Sequence, residues 1–501
     1  MHCFNKIFVI EITLLYLSSF TSLGQTIVKN SSEEYQYDTF RNPSAMQYYS
    51  MNKKGEVAFF HHISSVPSEL DFQEGEQIIQ SGFTTSQVIS TSSLTYWGEA
   101  SYLFEQRKNK QGSLLASPSR LGPYQVTDTI GGDQYQERYH IKGGMAKNIK
   151  QFTLGIEGGY VLSSSYQRTD PRPNNTQTDL NIGVSAAYTF DDKIQVGATT
   201  HYGRYKQDCN IKNFTPTRDD KFFSVNGLGT YDQPHTKIEG YYYRNYQGNF
   251  TQYDLFFHTL HRNPLFGNIR LYKEKIDVSS RIAITPYSYA TNNYKLELGY
   301  IVSQGKLRWR NIIHLSASEN RGTERIYEYT VIDKENNTWD YVFLSESEKY
   351  QSSRYYAGIN SQLRIEQNHH RWFIDATLGI EQNKIERLYP KDLLQQKYLL
   401  PRIHIKREYD KSQWQWSWSL GGQWRKVLSK ESQISPIPNR IPTYLERTQK
   451  KIEADYGLYT LHLMYGHKIK NNKLLFLELT PSLWYTTEVY HNMNITLGLK
   501  L

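Results

Sequence analysis

The chain has 501 residues, a net charge of +9 and a mean hydropathy of −0.66, yet 14% of it is aromatic, with 41 Tyr. That pairing does not suit a soluble α/β enzyme; it suits strands that expose an apolar residue only at every second position, with aromatic girdles at two membrane interfaces. Two cysteines, Cys3 and Cys209, exclude a disulfide framework and a cysteine-built zinc site, and basic residues scattered along an exported chain argue against nucleic acid as a partner.

At the N-terminus, Lys6 precedes an apolar stretch over 7–17, interrupted by Glu11, and Ser22-Leu23-Gly24 follows before Gln25. This is the pattern of a signal peptide, so residues 1–24 are expected to be removed on export. The stretch is too short for a spanning helix. Cys3 lies ahead of it and cannot be the lipid-bearing first residue of a lipoprotein. Residues 25–52 show no alternation and predict a periplasmic arm or a small plug.

From residue 53 to 501 the dominant pattern has period two, the signature of strands with one apolar and one polar face. In 151–161, Phe152, Leu154, Ile156 and Tyr160 alternate with Gln151, Thr153 and Glu157. In 371–381, Trp372, Ile374, Ala376, Leu378 and Ile380 stand against Asp375, Thr377 and Glu381. In 413–424, Trp414, Trp416, Trp418, Leu420 and Trp424 alternate with Gln413, Gln415, Ser417, Ser419 and Gln423. The chain ends on Met493, Ile495, Leu497, Leu499 and Leu501 against Asn492, Asn494, Thr496 and Lys500.

Alternation alone also fits a soluble sandwich or propeller. The rhythm of the connections separates them. Short polar turns fall near 147–150, 191–193, 304–305, 368–370, 410–412 and 470–472, and long polar connections near 166–177, 206–221, 320–352, 386–398 and 428–452. Short turns at one end and long loops at the other predict an antiparallel up-and-down transmembrane β-barrel. No blade-length repeat supports a propeller. At roughly 22 to 25 residues per strand with its share of connections, 18–20 strands are expected, an even count with both ends in the periplasm. Because an open edge in lipid leaves backbone groups unsatisfied, residues 55–63 are expected to pair antiparallel with 492–501.

YWGEASY (96–102), DTIGGDQYQERYHIKGG (128–144) and TDPRPNNTQTDL (169–180) resemble a domain-of-unknown-function family of bacterial outer-membrane β-barrel proteins, and FRNPSAM (40–46) is similar to the Asn-Pro segment ahead of the first strand in several barrel families. The resemblance runs from about residue 40 to the C-terminus. It implies location in the Gram-negative outer membrane and, since members often accompany TonB-dependent uptake systems, a TonB-dependent receptor as a candidate partner. Leu501 departs from the terminal aromatic residue common in barrels. Outer-membrane lipid and the barrel assembly machinery are further expected partners.

No catalytic, cofactor or metal site is predicted. Asp128, Asp133 and Glu137 around Gly131-Gly132 could supply oxygen ligands for calcium, but they read better as a turn with solvated acids. His61-His62 and His369-His370 are neighbours on opposite strand faces and cannot clasp one metal without a bulge. Asp170-Pro171-Arg172-Pro173-Asn174-Asn175 could contact a partner, but reads better as a stiff loop tip. His314, His404 and His462 fall within strands, with no serine and acid marked as partners.

With Leu307, Trp309, Ile313 and Leu315 outward, Lys306, Arg308, Arg310 and His314 are expected to line the lumen; with Ile403 and Ile405 outward, so are Arg402, His404 and Lys406. They could form a positive lining for anionic solutes. The alternative, favoured because Glu157, Glu297, Glu366, Asp375 and Glu381 also face in, is a ladder of ion pairs that stiffens the wall. Two functions remain open at this stage: a channel or accessory component in solute uptake, or a surface-interaction or assembly scaffold with a closed lumen.

Overall fold

The structure is a computed structural model that describes residues 42–47, 54–65, 73–128, 130–214, 222–232, 241–280, 284–333, 336, 338–411, 413–469, 473–486 and 489–500. The expected signal peptide and most of the 25–52 arm lie outside the described residues.

The strands are β1 (Lys54–Ser65), β2 (Gln77–Ser90), β3 (Leu94–Lys110), β4 (Tyr124–Asp128), β5 (Gly132–Ile149), β6 (Phe152–Gln167), β7 (Arg172–Phe190), β8 (Ile194–Lys212), β9 (Phe222–Asn226), β10 (Tyr231–Asp232) and β11 (Tyr241–Thr259). They continue as β12 (Leu265–Ser280), β13 (Tyr287–Gln304), β14 (Leu307–Asp333), β15 (Thr338–Gln367), β16 (His370–Arg387), β17 (Asp392–Asp410), β18 (Trp414–Gln433), β19 (Tyr456–Lys468), β20 (Leu474–Tyr485) and β21 (Val489–Lys500). One helix, α1 (Pro442–Glu453), lies between β18 and β19.

All but β4, β9 and β10 join one 18-stranded sheet in which each strand is antiparallel to the next. The sheet closes through β1 and β21: Glu56 lies opposite Lys500, Phe59 opposite Leu497 and Ser64 opposite Asn492. This is the closing pair expected from the sequence, and the strand count is the lower of the expected values. Closure removes the last unpaired edge, which is what lets a sheet sit in lipid.

The outer face is the apolar one. On β18, Trp414 and Leu420 are exposed while Ser417 and Ser419 are buried; on β16, Leu378 and Ile380 point out and Asp375 is buried inside. Tryptophans of β16 and β18 cover the outside of the wall in cross-strand contacts, Trp372 with Trp418 at 5.8 Å and Trp424 with Tyr459 at 5.8 Å. A closed barrel with an apolar exterior and a polar wall inside is a transmembrane barrel, because that exterior can be stable only against hydrocarbon.

The connections differ from expectation. The short turns near 147–150, 191–193, 304–305 and 368–370 fall where the sequence puts them, while 470–472 and residue 412 lie outside the described residues; most of the long polar stretches are strand. β6 and β7 are separated only by 168–171, and β14 and β15 form a hairpin whose pairing runs out to Asp333 opposite Thr338. TDPRPNNTQTDL is largely the first half of β7, so its Pro173 and Asn174 belong to a strand and not to a loop tip. The physical reason is that beyond the membrane both faces of a strand meet water or other polar groups. Pairing continues there while the apolar alternation stops.

The three remaining strands form a second sheet, β10-β9-β4, built from the connections after β3 and β8. Tyr124 of β4 lies opposite Asn226 of β9, and Tyr231 of β10 opposite Val225. This sheet folds back into the barrel from the loop end.

Candidate functional site

The lumen is built in two different ways. Toward the turn end, the wall satisfies its own charges across neighbouring strands. Glu297 of β13 accepts from His314 of β14 at 2.9 Å and pairs with Lys295 at 2.9 Å. Asp375 of β16 pairs with Arg402 of β17 at 3.2 Å and accepts from Asn360 of β15 at 3.1 Å. Glu408 pairs with Lys406 at 2.6 Å and with Arg371 at 3.2 Å. Glu157 holds Lys142 at 3.1 Å, and nearer the loop end Glu381 holds Arg354 at 2.5 Å.

Of the seven residues expected to line the lumen, six share the inner face of the wall. Arg308 and His404 are half-buried there. Arg310 is buried with its guanidinium 5.3 Å from the centre of the Phe266 ring. His314, Arg402 and Lys406 are the ion-paired groups just named. Lys306 sits elsewhere: Gly305 adopts φ 57°, the chain turns there, and Lys306 is an exposed residue of the β13–β14 turn.

Also at the turn end, residues Pro43–Gln47 form a single 3-10 turn inside the barrel, against β5, β6 and β7. Asn42 accepts from the Ser44 amide at 3.0 Å, and that amide also reaches Ser185 Oγ at 2.8 Å. Pro43 packs so close to Gly155 that a Cβ on the glycine would lie 2.7 Å from it. Ala45 joins a buried cluster with Ala187, Phe256, Phe266, Ile301 and Ile312, and Met46 one with Trp97 and Ala146. These inward apolar residues break the polar-inside rule because they face a segment of the chain and not water.

Toward the loop end, the lumen is packed like the core of a soluble protein. Leu114, Leu115 and Leu121, together with Tyr124 and Val126 of β4, bury against inward-facing wall residues. Those are Tyr205, Cys209 and Ile211 of β8, Tyr242 and Tyr246 of β11, Ile276 and Val278 of β12, Tyr287 and Tyr289 of β13 and Tyr350 of β15. Tyr124 stacks on Tyr287 with ring centres 4.6 Å apart. Gly322 of β14 admits it: a Cβ there would lie 2.5 Å from the Tyr124 hydroxyl.

Charged groups pin this inner body to the wall. Arg120 pairs with Asp179 of β7 and, at 2.6 Å, with Glu274 of β12, and lies 4.2 Å over the Tyr205 ring. Arg387 of β16 donates to the Asn226 carbonyl at 2.6 Å, and Arg244 of β11 to Ser224 Oγ at 3.0 Å. Lys110 and Asn175 donate to the carbonyls of Leu115 and Leu114 at 2.7 and 2.9 Å. Above it, α1 crosses the mouth. Tyr398 and Arg425 donate to the carbonyls of Ile452 and Lys451, each at 2.8 Å, and Gln73 donates to the Tyr444 hydroxyl at 3.0 Å. The inner body is thus tied to strands all round the barrel.

Burial pushes the Asp128 carboxyl up to about 6, although the Gly131 amide donating to it at 3.0 Å and nearby Lys110 pull the other way. Asp133, the second acid of the calcium pattern, instead accepts from the Asn109 amide at 3.1 Å. Among the described residues no three His, Cys, Asp or Glu side chains gather as a metal site. His61 contacts Ser81 Oγ at 2.9 Å on the outer face while His62 faces in, so the pair does not converge.

The inner body went unread in the sequence. Its signal was present: Tyr242 and Tyr246, and Tyr287 and Tyr289, put aromatic rings on the face that a water-filled lumen would make polar, and Leu114-Leu115 and Leu121 sit in a connection that has no membrane to meet.

A family model described as a family of unknown function (DUF6850) matches residues 34–501. The chain belongs to that family. No curated protein matches the sequence. Among solved structures, the ferric preacinetobactin receptor BauA of Acinetobacter baumannii is similar at 7% identity over 89% of this chain and 80% of that one, with a TM-score of 0.43. The copper transporter OprC is similar at 8% identity over 90% and 81%, with a TM-score of 0.41. The ferric-catecholate import receptor Fiu of E. coli K12 is similar at 9% over 90% and 82%, with a TM-score of 0.38. Likeness this distant says nothing about what a member of the DUF6850 family binds.

Proposed function

We propose that the protein is an integral barrel of the Gram-negative outer membrane, exported by its first 24 residues, whose lumen is sealed at rest by its own chain. It serves solute uptake as an accessory component that works through its loop-end surface. The observation that carries this reading is the packed core of Leu114, Leu115, Leu121, Tyr124 and Val126 inside the barrel, where an open channel needs water. The ion-pair ladder below it supports the same reading, since three of the inward cations that could have attracted anionic solutes, His314, Arg402 and Lys406, already hold carboxylates. The family resemblance implies the class of partner, a TonB-dependent receptor, and the long β14–β15 hairpin, with Ile326, Tyr329, Phe343 and Leu344 exposed on it, offers that partner a surface.

Single-channel recording in planar bilayers tests it. The purified barrel should give no steady ion conductance, and a variant with residues 112–127 replaced by a short Gly-Ser link should conduct. A large steady conductance from the intact barrel would replace this reading with that of an open channel.

A further inference from the structure

On the outer face, a groove of about 640 Å³ crosses β12 to β16. Neighbouring strands lie about 4.8 Å apart, so it runs for roughly 19 Å around the wall. Its form comes from a size contrast in register. Ala317 lies between Tyr294 and Tyr355, and Ala357 between Leu315 and Ile380. Two small side chains in rows of large ones leave a furrow with apolar walls, facing the hydrocarbon.

Directly toward the loop end, the outward positions become basic. On β12, Lys273 and Lys275 follow Leu271; on β14, Arg321 follows Ala317 after Glu319; on β16, Lys384 follows Gln382. Arg204 of β8 joins them through a single rung of the sheet, Arg204–Asn249–Lys275–Ala290–Arg321. Acids are present too: Lys384 pairs with Glu386 at 2.6 Å, Arg321 lies 3.9 Å from Glu348, and Glu319 accepts from the Tyr355 hydroxyl at 3.3 Å. Arg204, Lys273 and Lys275 are exposed and have no carboxylate partner among the described residues. Tyr202, Tyr253, Tyr294 and Tyr355, all exposed, mark the interface just below the cations, as an aromatic girdle does.

We infer that this sector is a binding site for a phosphorylated, multiply acylated lipid of the outer leaflet, one acyl chain lying in the groove and the phosphates on Arg204, Lys273 and Lys275. Charge complementarity selects the headgroup: unpaired cations at a lipid interface attract anionic phosphate. The apolar furrow selects the chain, because filling it restores contacts that loosely packed lipid leaves unmade. The inference rests on the membrane reading above, with the loop end facing outward.

The test is titration of the detergent-purified full-length barrel with lipid A bearing both phosphates, and with the same lipid after enzymatic dephosphorylation. The combined variant Arg204→Gln, Lys273→Gln, Lys275→Gln should weaken binding of the bisphosphorylated lipid by about a hundredfold. It should leave the already weak binding of the dephosphorylated form unchanged. Ala357→Trp, which fills the groove and leaves the cations in place, should weaken both. Equal affinity of the two lipids for the unaltered barrel, or unchanged binding in both variants, overturns the site. So does displacement of the lipid by inorganic phosphate with Ala357→Trp behaving like the unaltered protein, since that would mean an anion site alone. Membrane fractionation and heat-modifiable gel mobility of the same variants report separately on the barrel reading, which fails only if the unaltered protein does not assemble in the outer membrane.

Discussion

The two halves of the lumen solve one problem in opposite ways. At the turn end the wall is polar inside, and its carboxylates, Glu297, Asp375 and Glu408, each meet a cation on their own or a neighbouring strand. At the loop end the same strands turn aromatic inside and a second sheet fills the space between them. A wall that satisfies itself can leave room in the lumen. A wall lined with Tyr205, Tyr242, Tyr246, Tyr287 and Tyr289 cannot, because those rings would have to face water. The difference teaches that the inner face of a barrel reports what fills it, strand by strand.

The strongest way to break this comparison is to unpin the inner body. Arg120→Gln removes the cation that an inward connection offers jointly to Asp179 and Glu274, leaving two carboxylates without it. Breaking such a pair costs about 3–5 kcal/mol. The expected outcome is docking of 111–128 weakened by that order, read as rapid proteolysis there with the wall intact. An unchanged digestion pattern would mean that the apolar core alone holds the sheet.

The wall should respond to a different insult. Leu378 points into lipid and Thr377 into the lumen, where it accepts a hydrogen bond from Asn360 at 2.9 Å. Leu378→Arg near the midplane should cost about 2–4 kcal/mol in reversible unfolding from vesicles, and Thr377→Arg much less. Equal losses would mean that the assigned membrane face is wrong.

A smaller effect probes the seam between the halves. Gly322→Ala places a methyl where the Tyr124 hydroxyl now lies, and overpacking of this kind costs about 1–3 kcal/mol. Tyr124→Phe in the same chain should relieve part of it, and a double-mutant cycle of unfolding energies measures the coupling. Additive losses would show that the two residues do not touch.

The smallest expected effect is a pH dependence confined to the loop end. Asp128 is held near 6 when folded, above its ordinary 3.8, so the folded state binds the extra proton between those values. Its contribution is therefore fully present below about 4 and is lost as pH rises through about 6. Docking of 111–128, followed by proteolysis, should loosen over that window, and Asp128→Asn should remove the dependence. An opposite slope would show that the carboxylate is stabilised where it sits.

How far the sequence reads follows from the same contrast. In 413–424 one face meets lipid and the other a polar wall, so every second residue is constrained and the strand and its register are legible. In 320–352 only the base, at Gly322 and Tyr350, meets the packed lumen; farther out no lipid or core imposes an alternation, and a paired hairpin looks like a loop. In 300–315 the register was legible from Leu307, Trp309, Ile313 and Leu315. Ile312, inward against Ala45, was not, since its partner is distant in the chain and has no pattern of its own. Parity places six of the seven expected cations on the inner face, Lys306 in the turn being the exception. That His314, Arg402 and Lys406 are held by carboxylates on their own or neighbouring strands is not legible in the sequence, since pairing depends on which strands adjoin and in what register. The inner sheet was hidden for the same reason: β4 and β9 are short, and nothing local says that two connections far apart in sequence will pair.

The sealed loop end is tested most directly by hydrogen–deuterium exchange of the membrane-embedded protein. Tyr124–Asp128 is hydrogen-bonded to β9, and the Leu114 amide donates to the Val126 carbonyl at 2.9 Å. If this body is packed in the lumen, peptides covering 112–128 and 222–226 should exchange as slowly as those of β12 and far more slowly than the turn at 191–193. Exchange of 112–128 as fast as that turn, with β12 still protected, would contradict the account.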